Sequence, residues 1–170
     1  MKLAVRLMTP SETDLIIDYF TQSTPEHLES LGVDPTRLPG VEAWRQRYDR
    51  EFRASPQQRT TVMVTWLLED EPVGFSTADK IIHGERANMH LHILHSDRRN
   101  QGIGVKCVQA TADIYFDVLR IKRLYCEPNA FNVAPNRTLQ KAGFKYLKTH
   151  MTVPGPLNFH QAVTRWVLER

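Results

Sequence analysis

Met89-His90-Leu91-His92-Ile93-Leu94, and then Arg99-Asn100-Gln101-Gly102-Ile103-Gly104, decide how this chain is read. The first stretch is apolar and studded with histidine, and its pattern is that of a strand. From Ile103 to about Leu119 the apolar positions recur with a helical period. A strand, a basic glycine-containing turn and a helix N-terminus together make a place to hold a phosphate. Glycine lets the backbone approach an anion closely, and the first helical turn points unpaired N–H groups at it. Arg98, Arg99 and Lys106 add positive charge nearby.

Working outward, Leu3 to Met8 alternates as a strand, and Thr9-Pro10-Ser11-Glu12 reads as a capped helix start. Leu15, Ile16, Tyr19 and Phe20 form its apolar stripe. A shorter helix opens at Thr24-Pro25-Glu26 and ends near Gly32, with a loop from Val33 to Gly40. Val41 to Arg53 predicts a third helix, with Val41, Trp44, Tyr48 and Phe52 on one face. Its Arg45, Arg47, Arg50 and Arg53 read as a solvated face. Thr60 to Leu68 suits a central strand, returning through Glu69-Asp70-Glu71-Pro72 into Val73 to Lys80. After the long helix come a short strand, Arg123 to Glu127, and a helix opened by Asn132. Phe144 to Val153 and Ala162 to Leu168 are the last strands, joined by Pro154-Gly155-Pro156-Leu157-Asn158. This order predicts an α+β protein, one domain over residues 1–170, with a mixed sheet of about seven strands and four to five helices.

Composition narrows the class. At 41% hydrophobic and 24% charged residues the chain has the make-up of an ordinary globular protein. A net charge of +3 does not indicate nucleic-acid binding, and no basic-aromatic stacking platform accompanies it. Cys107 and Cys126 are too few for a disulfide framework and read as buried free thiols of a reducing compartment. The N-terminus has no signal-peptide core, and no run reaches the roughly 18 apolar residues of a membrane span. These features predict a cytoplasmic protein without a membrane or nucleic-acid partner.

Downstream of the glycine turn lies Asn132-Val133-Ala134-Pro135-Asn136-Arg137-Thr138-Leu139-Gln140-Lys141-Ala142-Gly143-Phe144. Arg-x-x-Gly-x-Gly after a strand, then an Asn-opened helix ending in Gly-Phe, resembles the GCN5-related N-acetyltransferases. The closest flavour is the ribosomal-protein N-terminal acetyltransferase branch. The resemblance is specific from Met89 to Phe144 and follows element order over most of the chain. It implies a GNAT-like single domain, acetyl-CoA as cosubstrate, no metal, a primary amine as acceptor, and direct transfer in a ternary complex. The amine would belong to a protein N-terminus or a small molecule. A homodimer is left open. The runner-up is a CoA-binding regulatory module with little or no turnover.

The resemblance also distributes roles. The main chain of His92, Ile93 and Leu94 would hold the pantetheine arm and the thioester oxygen. Arg99, Asn100, Gln101, Gly102, Ile103, Gly104 and Val105 would bind the pyrophosphate. Asn132 would bond the pantetheine, with Asn136 one turn on facing the same side; without the resemblance Asn132 reads as a plain helix cap. Glu127 falls where that branch places its proton acceptor; by itself it reads as an exposed strand-end carboxylate. His90 and His92 are the rival base, because they share one strand face and imidazole titrates near neutral pH. With His95 they suggest a metal site, but no coordination shell is completed in sequence. The branch's usual acid, a Tyr late in the second helix, is here Leu139, and the Ser of other branches is here Pro135. Phe159 and His160 are expected to face the acceptor.

Overall fold

The computed structural model describes residues 1–95 and 102–170. Arg98, Arg99, Asn100 and Gln101, singled out above, lie outside the described residues. The chain runs through β1 (Leu3–Leu7), α1 (Asp14–Thr21), α2 (Pro25–Ser30), α3 (Val41–Arg53), β2 (Val62–Leu68) and β3 (Glu71–Ile82). It continues through β4 (Arg86–Ile93), α4 (Ile103–Leu119), β5 (Arg123–Cys126), α5 (Val133–Lys141), β6 (Lys145–Thr152) and β7 (Gln161–Glu169). The α+β class and the element order are those the sequence predicts, and α3 spans the expected residues.

The seven strands form one sheet in the order β1-β2-β3-β4-β5-β7-β6. All neighbours are antiparallel except β4 and β5, and that parallel step requires a crossover, which α4 supplies. Glu69 and Asp70 both have positive φ, 50° and 67°, the mirror-image turn whose twist suits a two-residue hairpin between β2 and β3.

Helices cover both faces, so β2 buries all seven of its residues. Alternation divides them. Val62, Val64 and Trp66 pack with α4, while Met63 joins Ile16, Ile17, Phe20, Trp44 and Tyr48 under α1 and α3. Buried polar groups on the α4 side are paired. Trp66 Nε1 donates to Thr111 Oγ1 at 2.8 Å, and Tyr115 donates its hydroxyl to Ser76 Oγ at 2.9 Å. Ser76 Oγ in turn donates to the His90 carbonyl at 2.6 Å, so α4 is tied through β3 to β4 where the first histidine stands. The expected capping box is present: Glu12 accepts from the Thr9 N–H at 2.9 Å, with Arg6 against the same carboxylate at 2.7 Å.

Candidate active site

The sheet opens in its middle. β4 and β5 pair only from Arg86/Arg123 to Met89/Cys126. Beyond Cys126 the chain stays with β7, through an isolated bridge between Asn129 and Val163, while β4 continues along β3 to Ile93. Two cavities meet in the resulting gap. One, of about 170 Å³, lies towards α1 and α3; the other is a groove of about 550 Å³ at the N-termini of α4 and α5. Leu91, His92, Asn132 and Pro135 line both.

One wall of the groove comes from the end of β4 and the start of α4. Gly102 caps α4 with φ 75°, a left-handed conformation that costs glycine little. Gly102, Ile103, Gly104 and Val105 line the groove with Ile93. Among the described residues, a Cβ on Gly104 would find only Thr138 within 4 Å, at 3.6 Å, which leaves room beside the helix start. The Leu94 N–H donates to the Val73 carbonyl at 2.9 Å and belongs to the sheet. Strand alternation turns the Ile93 N–H and carbonyl the other way, into the gap.

The smaller cavity holds the titratable groups. His90 Nε2 lies 3.1 Å from Asp79 Oδ1, a diagonal neighbour on β3, and both line the cavity. Burial alone would raise the Asp79 carboxyl's pKa, but the charge and hydrogen bond of His90, helped by Lys80, bring it below the ordinary value. The His92 ring sits among Tyr19, Phe20 and Phe75, with centroids 5.0, 5.2 and 5.1 Å away. The Glu127 side chain is 5% exposed, not the exposed strand-end group that β5 by itself suggests. Its oxygens are held by His150 Nε2 at 2.8 Å, Arg165 at 3.3 Å and Asn88 Nδ2 at 3.3 Å.

Asn132 caps α5 by position, but its side chain makes no capping hydrogen bond. Asn136 is committed elsewhere: its amide donates to the Asn129 and Asn132 carbonyls, and its Oδ1 accepts from Trp166 Nε1 at 2.9 Å. Leu139 is fully buried in the α4 core. Cys126 lines the smaller cavity, yet burial drives its thiol pKa up; the same effect takes Cys107 to about 12.

Several lining residues were not singled out in the sequence. Asp79 is the charged position of a strand whose other inward residues are uncharged, which was the available signal. Arg47 is exposed, as a solvated face of α3 requires, and it also lines the cavity. Tyr19 lines the groove, with its hydroxyl 2.9 Å from His27 Nε2. The β6–β7 loop contributes Pro154, Pro156, Leu157 and Asn158 to the cavity, in place of the expected Phe159 and His160. Among the described residues no group of three His, Cys, Asp or Glu is arranged to hold a metal, and no helix is long and apolar enough to cross a membrane.

Residues 2–145 match the sequence profile of the acetyltransferase (GNAT) domain, and the chain belongs to that family. A search of curated proteins by sequence returns no match. Among solved structures, the chain is similar to the ribosomal L7/L12 alpha-N-protein acetyltransferase RimL in complex with coenzyme A, at 17% identity and TM-score 0.77, covering 99% of this chain and 94% of that one. It is similar to a ribosomal-protein-S5-alanine acetyltransferase from Vibrio fischeri, at 17% identity and TM-score 0.77, covering 99% and 93%. A third is the aminoglycoside acetyltransferase AAC(6')-Ib with coenzyme A, at 17% identity and TM-score 0.71, covering 99% and 95%. At these identities the likeness is one of fold.

Proposed function

We propose that this acetyltransferase takes acetyl-CoA in the groove and passes the acetyl group to a primary amine in the adjoining cavity. The observation that carries the reading is the parting of β4 from β5 after Met89 and Cys126, which joins the two spaces. Coenzyme A accompanies two of the similar structures, and the groove here has what that molecule needs: a glycine-lined helix N-terminus and strand backbone turned into a gap. The cosubstrate supplies an activated acetyl thioester.

The protein's part is to position and to move one proton. The Ile93 main chain offers the thioester its hydrogen bonds, and the Asn132 amide offers both a donor and an acceptor beside them. His90 is our candidate for the base. In the tautomer that donates Nε2–H to Asp79, Nδ1 carries the lone pair that can take the amine's proton. The C–N bond then forms as the C–S bond breaks, and the thiolate leaves. Glu127 is the other candidate, but a proton there would cost Arg165 and His150 their shared partner. Direct transfer is supported by where the cysteines lie: Cys107 is packed in the core under α4, and Cys126 is buried, which keeps its thiol protonated.

Calorimetric titration with acetyl-CoA tests this, run beside Gly104→Glu, which puts bulk and negative charge at the mouth of the groove. Micromolar binding lost in the variant supports the reading. Absence of binding by the wild type overturns it.

A further inference from the structure

The acceptor-side cavity has a roof. The segment after α2 and the β6–β7 loop both line it, and the two are joined to each other. The Asp34 N–H donates to the Leu157 carbonyl at 2.8 Å, and Val33 and Asn158 form an antiparallel bridge. The Gly32 carbonyl accepts three bonds: from the Phe159 N–H at 3.2 Å, from Asn158 Nδ2 at 2.9 Å and from Gln161 Nε2 at 2.8 Å. A continuous chain cannot pass between these segments without breaking that seam.

Below the roof the wall is apolar, built by Ile16, Phe20, Leu31, Val33, Trp44 and Tyr48. At about 170 Å³ the space matches a cavity that takes one aromatic ring; about 150 Å³ suffices for benzene. Its charges discourage a polycation. Among the described lining residues the carboxylates are Asp79 and Glu127; Asp79 faces His90, while Glu127 faces His150 and Arg165. Arg47, on the same lining, repels a second ammonium.

From these observations we infer that the acceptor is a small primary amine with a single compact apolar body, about the size of one ring. It is neither a polyamine sugar nor the N-terminus of a protein. This rests on the acetyl-transfer reading and narrows its substrate. The amine nitrogen lies towards His90 and Asp79, and the apolar body lies against Phe20, Trp44 and Tyr48. The amine reacts in its neutral form: the new bond joins its nitrogen to the acetyl carbon, the C–S bond breaks with coenzyme A leaving as the thiolate, and the one proton the nitrogen sheds goes to His90.

The full chain is assayed for acetyl-CoA-dependent thiol release with 2-phenylethylamine, with kanamycin, and with a hexapeptide bearing a free N-terminus. Acetyl-CoA binding is measured in parallel by calorimetry. The expected result is a kcat/KM for 2-phenylethylamine at least about a hundredfold above the other two. Equal or faster turnover of kanamycin or the peptide overturns the substrate class and leaves acetyl transfer standing. So does acetyl-CoA binding with no turnover of 2-phenylethylamine. Failure to bind acetyl-CoA overturns the underlying reading instead.

Discussion

At the scale of the residue, the question is which group takes the proton, and burial separates the candidates. Glu127 stands between Arg165, His150 and Asn88 and is anchored by all three, whereas the His90 ring is held, among the described residues, by Asp79. Three variants divide the roles. His90→Ala is expected to lower kcat by about 10²–10⁴-fold with little change in acetyl-CoA affinity. Asp79→Asn removes the group that orients the imidazole and is expected to give a smaller loss of kcat with an altered pH–rate profile. Glu127→Gln keeps the shape but leaves Arg165 without its charge partner. Its expected signature is lost stability, on the order of 2–3 kcal/mol by denaturant titration. If kcat falls more in Glu127→Gln than in His90→Ala while the fold is retained, the base is Glu127. Glu127 is a candidate in the sequence only through the family resemblance; its burial is not legible there, because its partners come from β4, β6 and β7, at least 23 positions away. Asp79 shows the same limit. Its value lies in facing His90 across a strand pair, and register is not written in either strand alone.

At the scale of the element, local signals are legible where they are self-contained. The stripe of α3 and the capping box before α1 needed no distant partner, and both stand where the sequence places them. The capping box also sets a pH response. Burial of Glu12 would raise its pKa, but hydrogen bonds from Arg6 and from the Thr9 N–H and hydroxyl, with the Arg6 charge, lower it to about 2. In the unfolded chain this carboxyl titrates near 4.5, so the unfolded state binds more protons between the two values. The resulting stability, about 2–3 kcal/mol, is complete above pH 4.5 and is lost as pH falls towards 2. Glu12→Gln is expected to be less stable at pH 7 by about that amount, and to lose less on acidification than the wild type. Parallel acid and neutral denaturation curves check it. The roof of the cavity was the illegible element, because Gly32 and Gln161 meet from 129 positions apart. Gly32 has φ 73°, and a Cβ there would fall 1.9 Å from Gln161 Oε1. Gly32→Ala therefore strains the backbone by about 1–2 kcal/mol and forces the seam apart. The expected outcome is a lower Tm together with a raised KM for the amine; an unchanged KM would mean that the seam does not shape the acceptor site.

At the scale of the whole molecule, the sheet is two half-sheets, β1 to β4 and β5-β7-β6, joined by four residue pairs. α4 links them by packing on β1 and on α5, but the gap past Met89 is crossed by no strand pairing. A ligand in that gap touches β4 on one side and α5 on the other, so its binding free energy becomes cohesion between the halves. The linkage is simple: a ligand at a hundred times its Kd, bound only by the folded state, adds about 2.7 kcal/mol. In a chain of 170 residues about 1 kcal/mol moves Tm by about 2–4 °C, so acetyl-CoA at that concentration should raise Tm by roughly 5–10 °C. The same addition should leave the Tm of Gly104→Glu unmoved, because its groove is blocked at the helix start. A second readout ties the effect to the gap: backbone amides near Met89 and Cys126 should exchange more slowly with acetyl-CoA present, while those of the β1–β2 pair, far along the sheet, should change least. A Tm increase spread evenly over the exchange map would place the ligand outside the gap, whatever its affinity.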